Sequence, residues 1–335
     1  DRKMATLSVT NPTLLDLAKA SDPDGKIAAV VEILNETNEI LQDMTWMEGN
    51  LTTGHRSTIR TGLPAPTWRK LYGGVQPTKG NTAQITDNTG MLEAYAEIDK
   101  ALADLNGNTA QFRLMEDRAH IEGMNQEMSD TLFFGDEATE PESFTGLAAR
   151  YNDLSADNAD NIIVGGGSGA DNASIWLICW SPMTCHGIVP KGSVAGLQVH
   201  DKGHVTIEDA DGSNGRMEAY RTHYRWDGGI VVRDWRYSVR VPNIDKSALA
   251  VNKSTGADLA DLMFQAIETI PNTSMGRCAF YMSRDVRTML RRQTANDVAG
   301  STLTVEQTGG VPVTSFQGIP LRRCDALAAD EALVS

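Results

Sequence analysis

Between Glu48 and Asp87 lie 38 residues without a single acid, in a chain of 335 residues whose formal net charge is −14. The stretch carries Arg56, Arg60, Arg69, Lys70 and Lys79, together with His55. Its apolar residues, among them Leu63, Trp68, Leu71, Tyr72 and Val75, are scattered, with neither sustained helical nor sustained strand periodicity. A loop of this length inside a compact domain is usually functional or disordered. Its aromatic and aliphatic content is higher than disorder favours. A globule of this length has a radius of gyration of about 20 Å. A hairpin made from the stretch, at about 3.3 Å per residue, reaches roughly 60 Å. These dimensions point to a basic arm that overshoots its own globule and lies on an acidic surface, that of another copy of the same chain.

The length suits about two domains, and a chain of this size buries roughly three quarters of its unfolded surface without needing staples. No apolar run approaches the roughly 20 residues that span a bilayer, and Asp1 to Thr10 lack the apolar core of a signal peptide. Asp1-Arg2-Lys3 ahead of Met4 read equally as a short tag or as the remnant of processing. Cys179, Cys185, Cys278 and Cys324 match no common zinc spacing and read as reduced, buried thiols. The acidic balance opposes tight wrapping of nucleic acid, which needs clustered Lys and Arg, but suits a surface that merely encloses it.

Asn11-Pro12 predicts a helix start for Thr13–Ala20, broken at Asp22-Pro23. Apolar spacing from Gly25 to about Met47 predicts a second, amphipathic helix. Met91–Ile98 reads as a strand and Lys100–Leu105 as a short helix. Asn108 with Gln111 resembles a capping box opening a long helix to about Leu132. Phe112, Met115, Ala119, Met124, Met128 and Leu132 form its expected apolar stripe, with Glu116, Asp117, Glu122, Glu127 and Asp130 largely off it. Ser155–Asn172, centred on Gly165–Gly169, reads as a flexible link. Ile175–Trp180 is a near-continuous apolar run, the pattern of a strand buried on both faces. Tyr220, Thr222, Tyr224 and Trp226 alternate with Arg221, His223 and Arg225, and Asp227-Gly228 signals a turn to a return strand bearing Trp235, Tyr237, Val239 and Val241. A helix near Ala257–Ile270, a strand at Cys278–Met282, a helix from Ser283 to about Arg292 and terminal strands around Val311–Cys324 complete the reading.

No catalytic constellation emerges. Gly165–Gly169 lacks the residues of a phosphate cradle. His200 and His204, four apart around Asp201, share a metal only on a helix, which Gly203 opposes, so a soluble metal-dependent enzyme is a minor alternative. Cys185-His186 are neighbours in sequence, not partners across a fold. Asp209–Gly212 has only part of a calcium loop and reads as a turn. The Arg-rich strands of Arg221–Arg240 suit a salt-bridged sheet face better than nucleic-acid contact. No cofactor and no metal ligand are expected, and the chain reads as a building block rather than an enzyme.

Several stretches together resemble the major capsid proteins of short-tailed phages of the epsilon15 type. They are Gly62-Leu63-Pro64-Ala65-Pro66-Thr67-Trp68-Arg69-Lys70-Leu71 with Gly73 to Lys79, Gly90-Met91-Leu92-Glu93, Phe134-Gly135-Asp136 to Leu147, Asn172 to Leu177, and Pro190 to Ser193. Asp234-Trp235-Arg236-Tyr237 to Asp245, Phe280 to Val286 and Phe316 to Leu321 extend the likeness over most of the chain beyond residue 50. The resemblance implies an α+β fold of the Hong Kong 97 phage capsid type. Its parts would be an N-terminal arm over 1–50, an extended β-hairpin loop over 51–92, and a peripheral domain with the long spine helix over 93–155. A mainly axial domain would follow over 156–315, with the strands of 216–245 assignable to either domain, and terminal strands over 316–335. It implies pentamers and hexamers closing into an icosahedral head around double-stranded DNA, assembled in the bacterial host cytoplasm. Expected partners are further copies of the chain, a separate scaffolding protein, a portal and a decoration or cement protein. A nanocompartment shell of the encapsulin kind shares the fold and is the structural alternative. Lys–Asn cross-linking occurs in some relatives, and nothing here assigns it to Lys79 or Lys70. The contacts expected between subunits set Arg56, Arg60, Arg69, Lys70 and Lys79, with Trp68 as apolar anchor, against Glu116, Glu122 and Glu127 of a neighbouring spine helix.

Overall fold

The computed structural model describes residues 12, 36–105, 107, 109–208, 215–296, 303–308, 311–328 and 330–335. The expected helix over Thr13–Ala20 with its Asn11 cap, the first half of the Gly25–Met47 helix, the Asn108 cap and the Asp209–Gly212 turn lie outside these residues. Among the described residues the chain forms two compact units, one of Met91–Met128 with Gly196–Asp227, the other of Thr37–Gly90, Ser129–Ala195 and Gly228–Ser335.

The smaller unit is a helix on a three-stranded sheet. Strand β4 (Gly90–Asp99), the first two thirds of β8 (Arg216–Val232) and β7 (Gln198–Glu208) lie side by side, β7 and β8 antiparallel from Gln198↔Arg225 to Glu208↔Arg216. Alternation along β8 sends Thr222 and Tyr224 toward helix α3 (Thr109–Phe134). Arg113 of that helix pairs with Asp201 at 2.7 Å, the Tyr224 hydroxyl donates to Asp117, and His120 stacks on Tyr224 at 5.8 Å. Phe112 packs with Ile98 and Ala103. The odd residues face the other way and are salt-bridged, as expected: Arg221 to Glu97, and Arg225 to Asp227 at 2.9 Å with Glu93 at 3.6 Å. The apolar stripe of α3 is narrower than its spacing suggests. Phe112, Met124, Met128 and Leu132 are buried, but Ala119 is exposed.

The larger unit is built around β5 (Asn172–Trp180), all nine residues of which are buried. It pairs antiparallel with β10 (Arg277–Met282) on one side and β9 (Ser238–Asp245) on the other. Beyond β10 come β13 (Ile319–Arg323), parallel to it, then β12 (Val311–Phe316) and β11 (Leu303–Thr308), antiparallel. One face of β5, with Ile175, Leu177 and Cys179, packs under α5 (Leu259–Thr269) and α6 (Arg284–Asn296) through Met263, Ala266, Val286 and Leu290. Trp176 meets Phe133 at 6.1 Å and Tyr151 edge-on at 5.8 Å. Two helical faces of cover explain why this strand reads as an unbroken apolar run rather than an alternation. The Asp258 carboxylate caps α5 through Asp261 N–H at 3.3 Å.

Two buried ion clusters close this unit. Arg240 of β9 pairs with Glu331 at 2.6 Å, donates to the Tyr151 carbonyl at 2.8 Å and lies over the Trp176 ring at 5.3 Å. Asp43 receives Arg277 at 2.6 Å, Arg322 at 2.8 Å and the Tyr281 hydroxyl at 3.1 Å. It thereby fastens the early chain to the late strands.

Four expectations are corrected. The helix foreseen as far as Met47 is helical only over α1 (Ile40–Asp43) in its described part; Met44 turns extended and β1 (Trp46–Glu48) pairs parallel with β6 (Cys185–Val189). Gly187 makes that pairing fit, because a Cβ there would stand 2.9 Å from the Trp46 ring. Asp227-Gly228 makes no turn: β8 runs through it, and Cys185↔Val232 to Ile188↔Gly229 pair with β6. Trp235–Tyr237 form a 3-10 turn, and only Ser238 onward is strand. Gly165, Gly167 and Gly169 are packed against the 242–245 segment rather than forming a free link. Gly165 and Gly167 N–H donate at 2.8 Å to Pro242 and Asn243 carbonyls, and a Cβ on Gly167 would fall 2.6 Å from Asn243 O.

Candidate functional site

The acid-free stretch folds as a hairpin arm. Strands β2 (Gly54–Gly62) and β3 (Asn81–Asn88) pair antiparallel from Gly54↔Asn88 to Arg60↔Thr82, with an irregularity before Gly62. Residues 63–80 carry no regular structure apart from a turn closed by Gly73 N–H on Lys70 O at 3.0 Å. Sequence periodicity missed the strands because neither face of this ribbon is buried over most of its length. Ser57 and Asp87 are its buried exceptions beyond Gly54.

A two-stranded ribbon is at best marginally stable alone, and this one is held at its base. Asn50 clamps the Arg56 backbone in both directions, accepting from N–H at 2.7 Å and donating to the carbonyl at 2.8 Å. The Asp87 carboxylate is buried and meets Arg150 of α4 (Leu147–Arg150) at 2.7 Å, while the same guanidinium donates to Thr145 O at 3.1 Å. Asn88 Nδ2 donates to Glu137 at 2.6 Å. His55 stands edge-on to the buried His186 ring at 5.8 Å. Burial, then the charge of Arg233, lower the pKa of His55, against a raising pull from Asp87. Neither Asn50, Asp87, Asn88 nor Arg150 was selected from sequence, because each is an ordinary polar residue whose partner lies far along the chain.

The far end of the arm is bare. Trp68 and Tyr72 are fully exposed, and Leu63 and Leu71 more than four-fifths so. Arg56, Arg60, Arg69, Lys70 and Lys79 are all exposed, and Arg56 Nε donates to Thr86 Oγ1 at 3.3 Å. The proposed acidic counterparts lie on α3. Glu127 is exposed, Glu116 half-buried, and Glu122 accepts from Glu36 N–H at 2.9 Å and Gln126 at 3.0 Å within its own unit.

His200 and His204 sit on strand β7, opposite His223 and Tyr220 across an irregular register, not on one helical turn. Among the described residues no group of three or more His, Cys, Asp or Glu is placed to hold a metal ion. No helix there is long and apolar enough to cross a membrane.

A mixed helix-and-sheet body carrying a long hairpin arm is the build of a phage capsid subunit of the Hong Kong 97 type. The structure of bacteriophage epsilon15 aligns over 99% of this chain and 100% of that chain, at 37% identity and a TM-score of 0.76. The bacteriophage JBD30 capsid aligns over 96% of this chain and 100% of that chain at 10% identity and a TM-score of 0.49. An encapsulin from Synechococcus elongatus aligns over 70% of this chain and 96% of that chain at 10% identity and 0.41. No curated protein sequence matches significantly. The chain belongs to the family of major capsid protein GP7, whose sequence profile matches residues 22–335. It is a structural protein of the phage virion that assembles with copies of itself.

Proposed function

We propose that copies of this chain form pentamers and hexamers that close into an icosahedral head around double-stranded DNA, and that the basic arm of each copy lies on its neighbour. The observation that carries this reading is the contrast along one hairpin. Its base is held by Asn50, Asp87 and Arg150, while its tip exposes Trp68, Leu71 and Tyr72 beside Arg69 and Lys70. An apolar tip with no cover of its own is an association surface. The charges set orientation more than strength, because an exposed ion pair contributes about 0–1 kcal/mol. Repetition over every copy in a shell multiplies that small contribution.

In this reading the unit of Met91–Met128 and Gly196–Asp227 serves as the peripheral domain, and the larger unit as the axial domain bearing the arm. The strands of 216–245 are then divided near Asp227 rather than falling to one domain. Assembly takes place in the host cytoplasm with a separate scaffolding protein, a portal and a decoration protein as partners. Arg69→Glu with Lys70→Glu tests the arm: the subunit stays folded and normal shells fail to form, whereas normal particles from that variant sink the reading. Nuclease protection of DNA inside purified particles supports a genome-filled head, and its absence favours a nanocompartment.

A further inference from the structure

Cys179 of β5 and Cys278 of β10 stand directly opposite one another, in the antiparallel register that also sets Arg277 against Trp180 and Ala279 against Ile178. Opposed residues project to the same face of a sheet, and both cysteines belong to the core beneath α5 and α6. Opposed Cα atoms in such a ladder are about 4.5 or 5.5 Å apart. Both spacings lie within the roughly 4.4–6.8 Å that a disulfide spans. The two sulfurs also sense each other. The Cys278 thiol foremost lowers the pKa of Cys179, against burial, with help from the Gly276 N–H. Contact with Cys179, then burial, raises that of Cys278. The other two cysteines stand elsewhere: Cys185 is set against Trp180 of β5 and Val232 of β8, and the Cys324 thiol donates to Asn38 Oδ1 at 3.1 Å.

We propose that Cys179 and Cys278 are a latent disulfide, reduced while the subunit is made and closed by a peroxide once the virion meets an oxidising medium. A cytosol keeps thiols reduced, whereas disulfides persist at virion surfaces. Access comes from one side. Cys278 is 8% exposed, and the 3-10 turn Thr273–Met275, exposed throughout, lies against it: the Cys278 thiol donates to Thr273 O at 3.3 Å. An exposed turn opens locally at little cost while core strands stay paired. A water-sized oxidant thus reaches the pair without the sheet coming apart. The Cys179 thiolate attacks one oxygen of hydrogen peroxide and the O–O bond breaks. Hydroxide leaves and takes up the thiol proton, so that a sulfenic acid and water result. The Cys278 sulfur then attacks that of Cys179, the S–O bond breaks, and the hydroxyl leaves as water with the Cys278 proton. Two thiols and one peroxide become one disulfide and two waters. The bond ties the central strand β5 to β10 and closes a loop of about a hundred residues in the unfolded chain. It lies within one subunit, so free chains and assembled shells form it alike.

The test uses the wild-type chain, fully reduced, freed of reductant, exposed to hydrogen peroxide, then alkylated in urea and digested for mass spectrometry. The expected result is a peptide pair joined through Cys179 and Cys278, with Cys185 and Cys324 still alkylated. The oxidised chain has a higher urea midpoint than the reduced one, and dithiothreitol returns it to the reduced value. In Cys278→Ala, peroxide gives neither the joined peptides nor the rise in midpoint. Met275 is exposed on the turn above the pair and reports whether the oxidant arrived. Full alkylation of Cys179 and Cys278 while Met275 becomes the sulfoxide overturns the proposal. Bonds from either residue to Cys185 or Cys324 in place of the Cys179–Cys278 bond overturn it equally, as does a rise in midpoint that persists in Cys278→Ala.

Discussion

Asp87 and Arg150 meet at 2.7 Å with the carboxylate only 4% exposed, joining the second strand of the arm to a short helix 63 residues further along. The pair decides where the arm leaves the body. Arg150→Ala strands a buried carboxylate, and breaking a pair of this kind costs about 3 kcal/mol. Chemical denaturation of the subunit measures the loss. Adding Asp87→Asn to Arg150→Ala recovers part of it, because the residue left behind no longer carries a charge.

Arg240 and Glu331 form the second buried pair, both side chains about 5% exposed or less. Arg240→Ala lowers stability by about 3–5 kcal/mol. Replacing both together, Arg240→Met with Glu331→Leu, is near neutral, since the desolvation of two charges is removed along with their attraction. A double variant as unstable as the single one would show that the contacts of Arg240 with Tyr151 O and the Trp176 ring outweigh the ion pair.

His186 gives the larger unit a dependence on pH. Its ring is fully buried, and burial foremost, then the charges of His55 and Arg233, hold its pKa down to about 4. The folded pKa lies below the free value of about 6.5, so the folded chain binds fewer protons in that interval. The contribution is complete above about pH 6.5 and is lost as pH falls toward 4, a change of about 3 kcal/mol. His186→Asn flattens the urea midpoint across this window; an unchanged slope would mean another group titrates there.

Two glycines make opposite predictions. Gly167→Ala drives a methyl against Asn243 O and costs about 1–3 kcal/mol by overpacking. Gly123→Ala lies in helix with open space at the Cβ and stabilises by up to about 1 kcal/mol. Thermal melts of the two single variants separate in sign.

Elements whose environment is uniform along their length were legible in the sequence. The run Ile175–Trp180 is buried on both faces and reads so, and α3 ends at Phe134 within two residues of its expected end. What misled was local chemistry overruled from a distance. Asp227-Gly228 has turn composition, yet Asp227 is buried against Arg225 and β8 continues because Val231 and Val232 find partners on β6. A Cβ on Gly229 would stand 2.7 Å from Asn88 O, so the second glycine serves close packing, not a bend. Trp46–Glu48 have helical spacing but accept a strand because β6 offers a free edge. In the arm, charge and exposed aromatics announced an association surface. Its anchoring residues were silent, since Asn50 and Arg150 carry no pattern until the fold brings their partners.

The Asp43 and Thr37 contacts also bear on timing. Thr37 N–H donates to Asp325 across 288 residues, and Tyr281 reaches Asp43 across 238. At about 5–20 residues per second, a ribosome needs roughly 15–60 s between the two ends of the longer contact. Throughout that interval Thr37 and Asp43 lack these late partners, although Trp46–Glu48 find β6 once residue 189 has been made. The body that carries the arm is therefore unfinished until nearly all of the chain has been made, which delays lattice growth until the subunit is whole.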